Sequence, residues 1–217
     1  MEKAVIFDMD GVLIDSEPLY YRADQQMFER LGIPFTRADV QGLVGVNSRA
    51  GAAGILQRHP GLCCSVEELD AIYRESLLGA LKNNPALCLI DGVSDWIAAL
   101  RRDGYRMAIA SSSTAPRVSY IVERFTLDRV MGAVIHGEMV RVAKPDPEIF
   151  LLAAERIGMQ PEHCTVIEDS TFGIRAAKAA GMRCLAYTGA NVHHLDNSEA
   201  DARFDAYTEE NYDKYFG

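Results

Sequence analysis

The sequence predicts an α/β fold in which a doubly wound parallel sheet carries an inserted all-helical domain. From residue 91 onward, short apolar runs alternate with amphipathic helical patterns, which is typical of a parallel sheet with helices on both faces. The first apolar run, residues 4–7, is followed instead by helical patterns alone from residue 16 to residue 85. We therefore expect residues 1–15 and 86–217 to form the core domain and residues 16–85 to form a separate helical domain inserted after the first strand.

Helix-start signals divide the inserted segment. Ser16 is placed to cap a first helix that ends at Gly32. Thr36 and Asp39 have nearly the form of a capping box, although Asp reaches less far than Glu. Residues 65–68 read Ser-Val-Glu-Glu, which is a complete capping box in front of an apolar stripe. The segment is therefore predicted to be helical throughout.

The predicted strands are short, and most are followed by polar residues. The tail, residues 199–217, is polar and weakly patterned, and we assign no element to it. His193 and His194 are expected to be an exposed loop pair. The apolar runs that we assign to strands are residues 4–7, 107–110, 133–135, 164–167 and 183–187.

Charge and cysteine content restrict the partners. Among 217 residues, 22 Lys and Arg stand against 31 Asp and Glu, for a formal net charge of −9. Such an acidic protein repels nucleic-acid backbones and anionic membranes, so a small anionic substrate would need a local cation. Five cysteines without a C-x-x-C pair favour a reducing cytoplasm, and no apolar run approaches the roughly 18 residues of a membrane span. We expect a cytoplasmic monomer or small homo-oligomer that binds neither nucleic acid nor membrane.

Polar residues follow four of the predicted strands, at the sheet edge where parallel sheets bind ligands. Four carboxylates at one edge repel each other, and a shared hard cation relieves that repulsion. Oxygen ligands without imidazole or thiolate indicate Mg²⁺. The residues are Asp8 and Asp10 after the first strand, Ser111 and Ser112 after the second, Lys144 in the loop after the third, and Glu168 and Asp169 after the fourth.

The spacing of Asp8 and Asp10 suits phosphoryl transfer. If strand geometry persists, a spacing of two residues places both carboxylates on the same side of the strand. One carboxylate can attack phosphorus to form an aspartyl-phosphate, while the other protonates the leaving oxygen and later activates water. The Ser111 hydroxyl and the Lys144 ammonium can hold the oxygens of the transferring group. Ser112 is a further candidate for phosphate binding. Taken alone, an acidic pair also occurs in solvated turns, and Ser112 and Ser113 also fit a role as turn formers.

Four ordered motifs together resemble those of the haloacid dehalogenase (HAD) superfamily and extend over residues 7–173. The helical insertion directly after the first motif resembles the cap of the β-phosphoglucomutase-like branch of that superfamily. The motifs are Phe7-Asp8-Met9-Asp10-Gly11-Val12-Leu13, Ser111 after Ala-Ile-Ala, Lys144-Pro145, and Glu168-Asp169-Ser170 followed by Gly173.

The resemblance implies a Rossmann-like core and a role for each motif. Asp8 would be the nucleophile and Asp10 the acid and base, while Ser111 and Lys144 would bind phosphate. Asp8, Glu168 and Asp169, with the backbone carbonyl of Asp10, would hold Mg²⁺. The implied activity is hydrolysis of a small phosphorylated metabolite, such as a sugar phosphate, by a phosphatase that depends on Mg²⁺.

Other functions stay open at this point. Members of the branch that act as mutases carry His where Tyr20 stands and Lys where Thr114 stands, which weakens the mutase alternative. Arg49 resembles the cap Arg with which mutases meet a second phosphate. Tyr20 fits a place in the core of the insertion about as well as a substrate contact. From different classes, a phosphoacceptor signalling module and a non-catalytic binding protein are further alternatives.

Overall fold

The structure is a computed structural model that describes residues 3–43, 48–189 and 196–217. The chain divides into two compact units, which we call the core unit (Met1–Asp15 with Cys88–Gly217) and the helical unit (Ser16–Leu87). His193 and His194 lie outside the described residues. Within the described ranges, no helix is long and apolar enough to cross a bilayer.

The core unit is built on a six-stranded sheet in which every strand pair is parallel, in the order β3-β2-β1-β4-β5-β6. The strand order reverses beside β1, because β2 and β3 extend to one side while β4 to β6 extend to the other. This topology confirms the predicted fold class, and it creates the switch point at which doubly wound sheets bind ligands. The strands are β1 (Ala4–Phe7), β2 (Arg106–Ser111), β3 (Ala133–His136), β4 (Cys164–Glu168), β5 (Arg183–Tyr187) and β6 (Ala202–Phe204).

The helical unit has its own hydrophobic core. Met27 and Phe28 of the first helix pack with Ile55 and with Leu69 and Tyr73 of the last. Because this apolar cluster lies within the unit, the first, third and last helices each bury one face there and expose the other. The helices are α1 (Glu17–Leu31), α2 (Arg37–Leu43), α3 (Ser48–Arg58) and α4 (Val66–Lys82).

The capping signals of the helical unit are confirmed with one exception. The Ser65 hydroxyl accepts a hydrogen bond from the Glu68 amide at 3.2 Å, and the Glu68 carboxylate accepts one from the Ser65 amide at 2.8 Å. Thr36 and Asp39 form the same reciprocal pair at the start of α2. Ser16 occupies the N-cap position of α1, but its side chain makes no capping hydrogen bond.

Helices of the core unit cover the sheet. Ile6 and Val166, from the central strands, pack with Phe150 and Ile174 in one buried cluster. Short 3-10 turns occupy Leu127–Arg129, Gly137–Met139 and Pro161–His163. The helices of this unit are α5 (Val93–Arg102), α6 (Ala115–Arg124), α7 (Glu148–Arg156), α8 (Thr171–Ala179) and α9 (Glu209–Phe216).

The tail contains β6 and α9 and completes the aromatic core around Trp96, although the sequence pattern gave no element there. The Trp96 ring lies 4.9 Å from the ring of Tyr207 and 5.6 Å from that of Phe216, measured between centroids. The Trp96 indole also donates a hydrogen bond to the Thr208 carbonyl at 3.0 Å. The aromatic residues that the tail contributes come from β6 (Phe204), a loop (Tyr207) and a helix (Phe216), so no single period marks them in the sequence.

Candidate active site

The candidate site begins at the carboxyl ends of β1 and β4, the neighbouring strands at the switch point. Phe7 lies opposite Ile167 in the parallel ladder, and the Asp8 amide extends the ladder with a 2.9 Å hydrogen bond to the Ile167 carbonyl. Strand pairing therefore fixes Asp8 beside Glu168, the last residue of β4. Two carboxylates that are 160 positions apart in the sequence are neighbours because their strands are.

Lys144 joins these two carboxylates. Its Nζ donates to Asp8 Oδ1 at 2.5 Å, to Glu168 Oε1 at 2.8 Å and to the Ala110 carbonyl at 3.2 Å. An ammonium has three donors, so all three are used. Phe150 supports the ammonium with a ring whose centroid lies 4.7 Å from Nζ. Lys144, which follows no strand directly, is thereby fixed in the site by the loop between β3 and α7.

The carboxyl groups of the site outnumber the ammonium of Lys144. Asp8, Glu168 and Asp169 each place a carboxylate oxygen within 4.8 Å of the others. Burial, together with the charge of Glu168, raises the pKa of Asp8 to about 7, because the opposing effect of Lys144 is smaller. Burial, with the charges of Glu168 and Asp8, also raises the pKa of Asp169 well above its usual value. Burial disfavours the charged form of Lys144, but Asp8 and Glu168 outweigh it and raise its pKa.

This donor set fits a hard divalent cation. The three grouped residues, two of them buried and one half-buried, offer only carboxylate oxygens, and when all three are ionised their negative charge exceeds what Lys144 neutralises. Oxygen donors and uncompensated negative charge are what Mg²⁺ binds in proteins. The carboxylate of Asp10 is not part of the group, so a ligand role for Asp10 rests on its backbone carbonyl, as the resemblance implies.

Glycines leave the space that these carboxylates occupy. A Cβ on Gly173 would overlap the Glu168 carboxylate, and a Cβ on Gly11, which has φ 78°, would overlap that of Asp169. Ser170 fixes Glu168 further, since its amide and hydroxyl donate to Glu168 Oε2 at 2.7 and 3.0 Å. The same hydroxyl accepts a hydrogen bond from the Gly173 amide and so caps α8. Ser170 therefore determines both where α8 begins and how the Glu168 carboxylate is oriented.

The Asp10 side chain has partners of its own. Ser113 Oγ donates to Asp10 Oδ2 at 2.6 Å, and Arg117 Nη2 donates to Asp10 Oδ1 at 2.8 Å. The interpretation of Ser113 as a mere turn former is wrong, because its buried hydroxyl serves Asp10. Sequence analysis missed Arg117 altogether. Its signal is a cation in the first turn of a helix, where the helix dipole disfavours positive charge.

The other predicted contact residues differ in placement. Ser111 is buried, and its hydroxyl accepts a hydrogen bond from the Ser113 amide at 3.1 Å, while Ser112 is exposed. Tyr20 belongs to the helical unit and packs against its core. Arg49 lies in the same unit with an exposed side chain that forms an ion pair with Glu67. The structure thus brings together Asp8, Lys144, Glu168 and Asp169. Phosphate binding by Ser111 and Ser112 and a substrate role for Tyr20 and Arg49 stay predictions.

Comparison with protein families agrees with this geometry. Residues 5–187 match the family described as haloacid dehalogenase-like hydrolase. The match covers most of the chain, so the chain belongs to this family. The prediction of a hydrolase of the HAD superfamily is confirmed.

Individual relatives support the branch that was predicted. The chain is 34% identical over 202 residues to a phosphorylated carbohydrates phosphatase of Thermotoga maritima, covering 91% of this chain and 89% of the relative. It is 30% identical over 188 residues to β-phosphoglucomutase of Bacillus subtilis, covering 83% and 80%. The crystal structure of CbbY from Rhodobacter sphaeroides in complex with phosphate superposes with a TM-score of 0.83 at 29% identity, covering 96% of each chain. The resemblance to the β-phosphoglucomutase-like branch is confirmed.

Proposed function

We propose that the protein is a phosphatase that requires Mg²⁺ and hydrolyses a small phosphorylated metabolite, such as a sugar phosphate, through an aspartyl-phosphate on Asp8. The observation that carries the proposal is the buried contact of Asp8 with Lys144 beside Glu168 and Asp169. Relatives named as phosphatases of phosphorylated carbohydrates support the substrate class. The free cysteines fit a reducing, cytoplasmic setting.

Two transfers of the same phosphoryl group make up the reaction. In the first, an Asp8 oxygen forms a bond to phosphorus while the bond from phosphorus to the leaving oxygen breaks, and Asp10 gives that oxygen a proton. In the second, Asp10 takes a proton from water as the water oxygen bonds to phosphorus, and Asp8 leaves with the electron pair. Asp10 thus ends with the proton that it gave away, and Asp8 is restored.

The remaining core-unit residues bind and orient. Lys144 supplies a fixed positive charge to the transferring phosphoryl group, and Ser111 supplies a hydroxyl donor. Asp8, Glu168 and Asp169 would hold Mg²⁺, which when bound neutralises negative charge on the attacking and transferring oxygens. Burial raises the pKa of Asp8 and so disfavours its ionised form. The attack on phosphorus requires the ionised carboxylate, and an adjacent cation such as Mg²⁺ favours it.

Asp8→Asn tests the nucleophile. The purified protein is expected to release phosphate from p-nitrophenyl phosphate with Mg²⁺, and Asp8→Asn is expected to abolish that release because an amide oxygen is a poor nucleophile. Phosphate release is measured in parallel for Asp128→Asn, which removes an exposed carboxylate of the core unit and leaves the rate unchanged. Activity that persists in Asp8→Asn, or in excess chelator, contradicts the proposal.

The mutase relative defines the second candidate function. Isomerisation of β-glucose 1-phosphate without net phosphate release would favour it. A stable phosphoprotein after acetyl phosphate treatment, with no turnover, would instead indicate a phosphoacceptor module. We propose that the helical unit is the cap domain that selects the substrate, with Tyr20 and Arg49 as its candidate contacts.

A further inference from the structure

Arg117 is a buried cation whose location opposes stability. Its side chain is 8% exposed, and it occupies the third position of α6, where the partial positive charge of the helix N-terminus repels it. Burying a guanidinium also removes it from water, and a buried ion pair seldom repays that cost in full. Stability alone therefore gives little reason for an arginine at this position.

Arg117 contacts a carboxylate that the reaction needs. Arg117 Nη2 binds Oδ1 of Asp10 at 2.8 Å, and Ser113 Oγ binds Oδ2 at 2.6 Å, so each carboxylate oxygen has its own donor. Both donors come from one short stretch after β2, and Asp10 comes from the loop after β1. With both oxygens bound, the carboxylate cannot rotate without breaking a hydrogen bond to a buried group.

The two aspartates of the first motif are thus held by different cations. Lys144 binds Asp8 and Glu168, whereas Arg117 binds Asp10. The separation matches the division of work between a group that attacks phosphorus and a group that moves protons. One guanidinium nitrogen of Arg117 holds Oδ1 of Asp10, and the Ser113 hydroxyl holds Oδ2, so the two donors together fix the direction of the carboxylate.

We infer that Arg117 is a positioning residue that, with Ser113, orients the Asp10 carboxyl group so that it can give its proton to the leaving oxygen. The inference rests on the proposed function, since it assigns Arg117 a part in the step in which Asp10 gives its proton as the bond to phosphorus breaks. Arg117 itself gains and loses no proton. Its loss leaves Asp10 present but misdirected, and small misplacements of a reacting group cost large factors in rate.

The test compares two leaving groups in single turnovers with Mg²⁺ present. Phenolate is the less stable anion, so release of phenol from phenyl phosphate depends more on a proton from Asp10 than release of nitrophenol from p-nitrophenyl phosphate. Arg117→Met keeps the apolar stem and removes the guanidinium. We expect it to slow phenol release about 100-fold, and to slow nitrophenol release at least tenfold less. Arg124→Met, which removes an exposed arginine of the same helix, is the matched control and leaves both rates unchanged.

A second background separates positioning from folding. In Asp10→Asn the proton donor is gone, so adding Arg117→Met is expected to change neither rate by more than about twofold. Equal slowing of both substrates, or slowing that persists in Asp10→Asn, would overturn the positioning role. If Arg117→Met loses its circular dichroism signal, Arg117→Lys and Ser113→Ala decide in its place. Either of them should fold and slow phenol release more than nitrophenol release, and equal slowing would again overturn the inference.

Failure of the inference and failure of the proposed function look different. If the wild-type protein releases neither phenol nor nitrophenol, the proposed function is contradicted, and the inference with it. If the wild-type protein releases both, and the variants slow the release of both to the same degree, only the role of Arg117 is contradicted.

Discussion

At the scale of single residues, the site is defined as much by absent side chains as by present ones. Gly173 is the clearest case, because the Glu168 carboxylate fills the space that a Cβ would take. The sequence identified this glycine only through its place in a motif. Its physical reason depends on how β4 and α8 approach each other, which no local pattern expresses.

Gly173→Ala is expected to displace the Glu168 carboxylate, and so to distort the site and weaken its binding of Mg²⁺. A methyl group cannot share the space of a carboxylate that is already fixed by Ser170 and Lys144. We expect loss of phosphatase activity and at least a tenfold weaker Mg²⁺ affinity by titration calorimetry, in line with the cost of disturbing metal-ligand orientation, about 10- to 100-fold.

The control is Gly79→Ala in α4, where a Cβ meets nothing within 4 Å. Alanine there should stabilise the protein by up to about 1 kcal/mol through helix propensity and leave Mg²⁺ affinity unchanged. Unaltered Mg²⁺ affinity in Gly173→Ala would show that Glu168 does not need the glycine.

At the scale of elements, the helical unit depends on a buried carboxylate that connects α2 to the end of α3. Asp39 is fully buried and completes the capping box with Thr36. Its other oxygen accepts hydrogen bonds from Arg58 at 2.8 Å and from His59 at 3.2 Å. The capping half of this arrangement was predicted from four residues of sequence. The other half joins positions about twenty residues apart, and only the packing of α2 and α3 brings them together.

Asp39→Asn is expected to destabilise the protein by about 2 to 4 kcal/mol, because it leaves the Arg58 charge without its buried counter-ion. Burial opposes ionisation of Asp39, yet the hydrogen bonds from Thr36, Arg58 and His59 outweigh it and lower its pKa to about 2, so the native group is charged at neutral pH. Urea unfolding followed by circular dichroism measures the change. Glu75→Gln breaks an exposed ion pair with Arg30 and should cost less than about 1 kcal/mol; an equal loss in both variants would contradict the expectation.

At the scale of the whole molecule, alternation of strands and helices was sufficient to predict where the site lies. Parallel strands end at one edge, so the polar residues after β1, β2 and β4 had to converge once the sheet was predicted. Ser113, Arg117 and the tail around Trp96 were missed or misread, because their roles depend on packing between distant segments. The same contrast applies to charge. The net charge of −9 can be counted from the sequence, whereas the burial of individual carboxylates depends on packing and cannot.

In the helical unit, the burial of one carboxylate, that of Asp24, has a consequence that can be measured. It is buried on α1, the Tyr73 hydroxyl donates to it, and its Oδ1 has no hydrogen-bond partner among the described residues. Burial raises its pKa to about 6, and the hydrogen bond from Tyr73 only partly offsets this. The folded chain therefore holds a proton on Asp24 in a pH range in which the unfolded chain has released it, and stability must fall as the pH rises through 6.

Between pH 5 and pH 7.5 we expect Asp24 to cost about 1 kcal/mol of unfolding free energy, allowing for partial screening by solvent. Asp24→Asn cannot ionise and should lose this dependence, so the difference in unfolding free energy between the two proteins should grow with pH in favour of the variant. Urea unfolding by circular dichroism gives that difference, and amide exchange in α1 and α4 should slow at pH 7.5 in the variant once corrected for the intrinsic rate. Other titrating groups, including those of the metal site, are common to both proteins and cancel in the comparison. A difference that stays constant with pH would mean that Asp24 is ionised in the folded chain at pH 5.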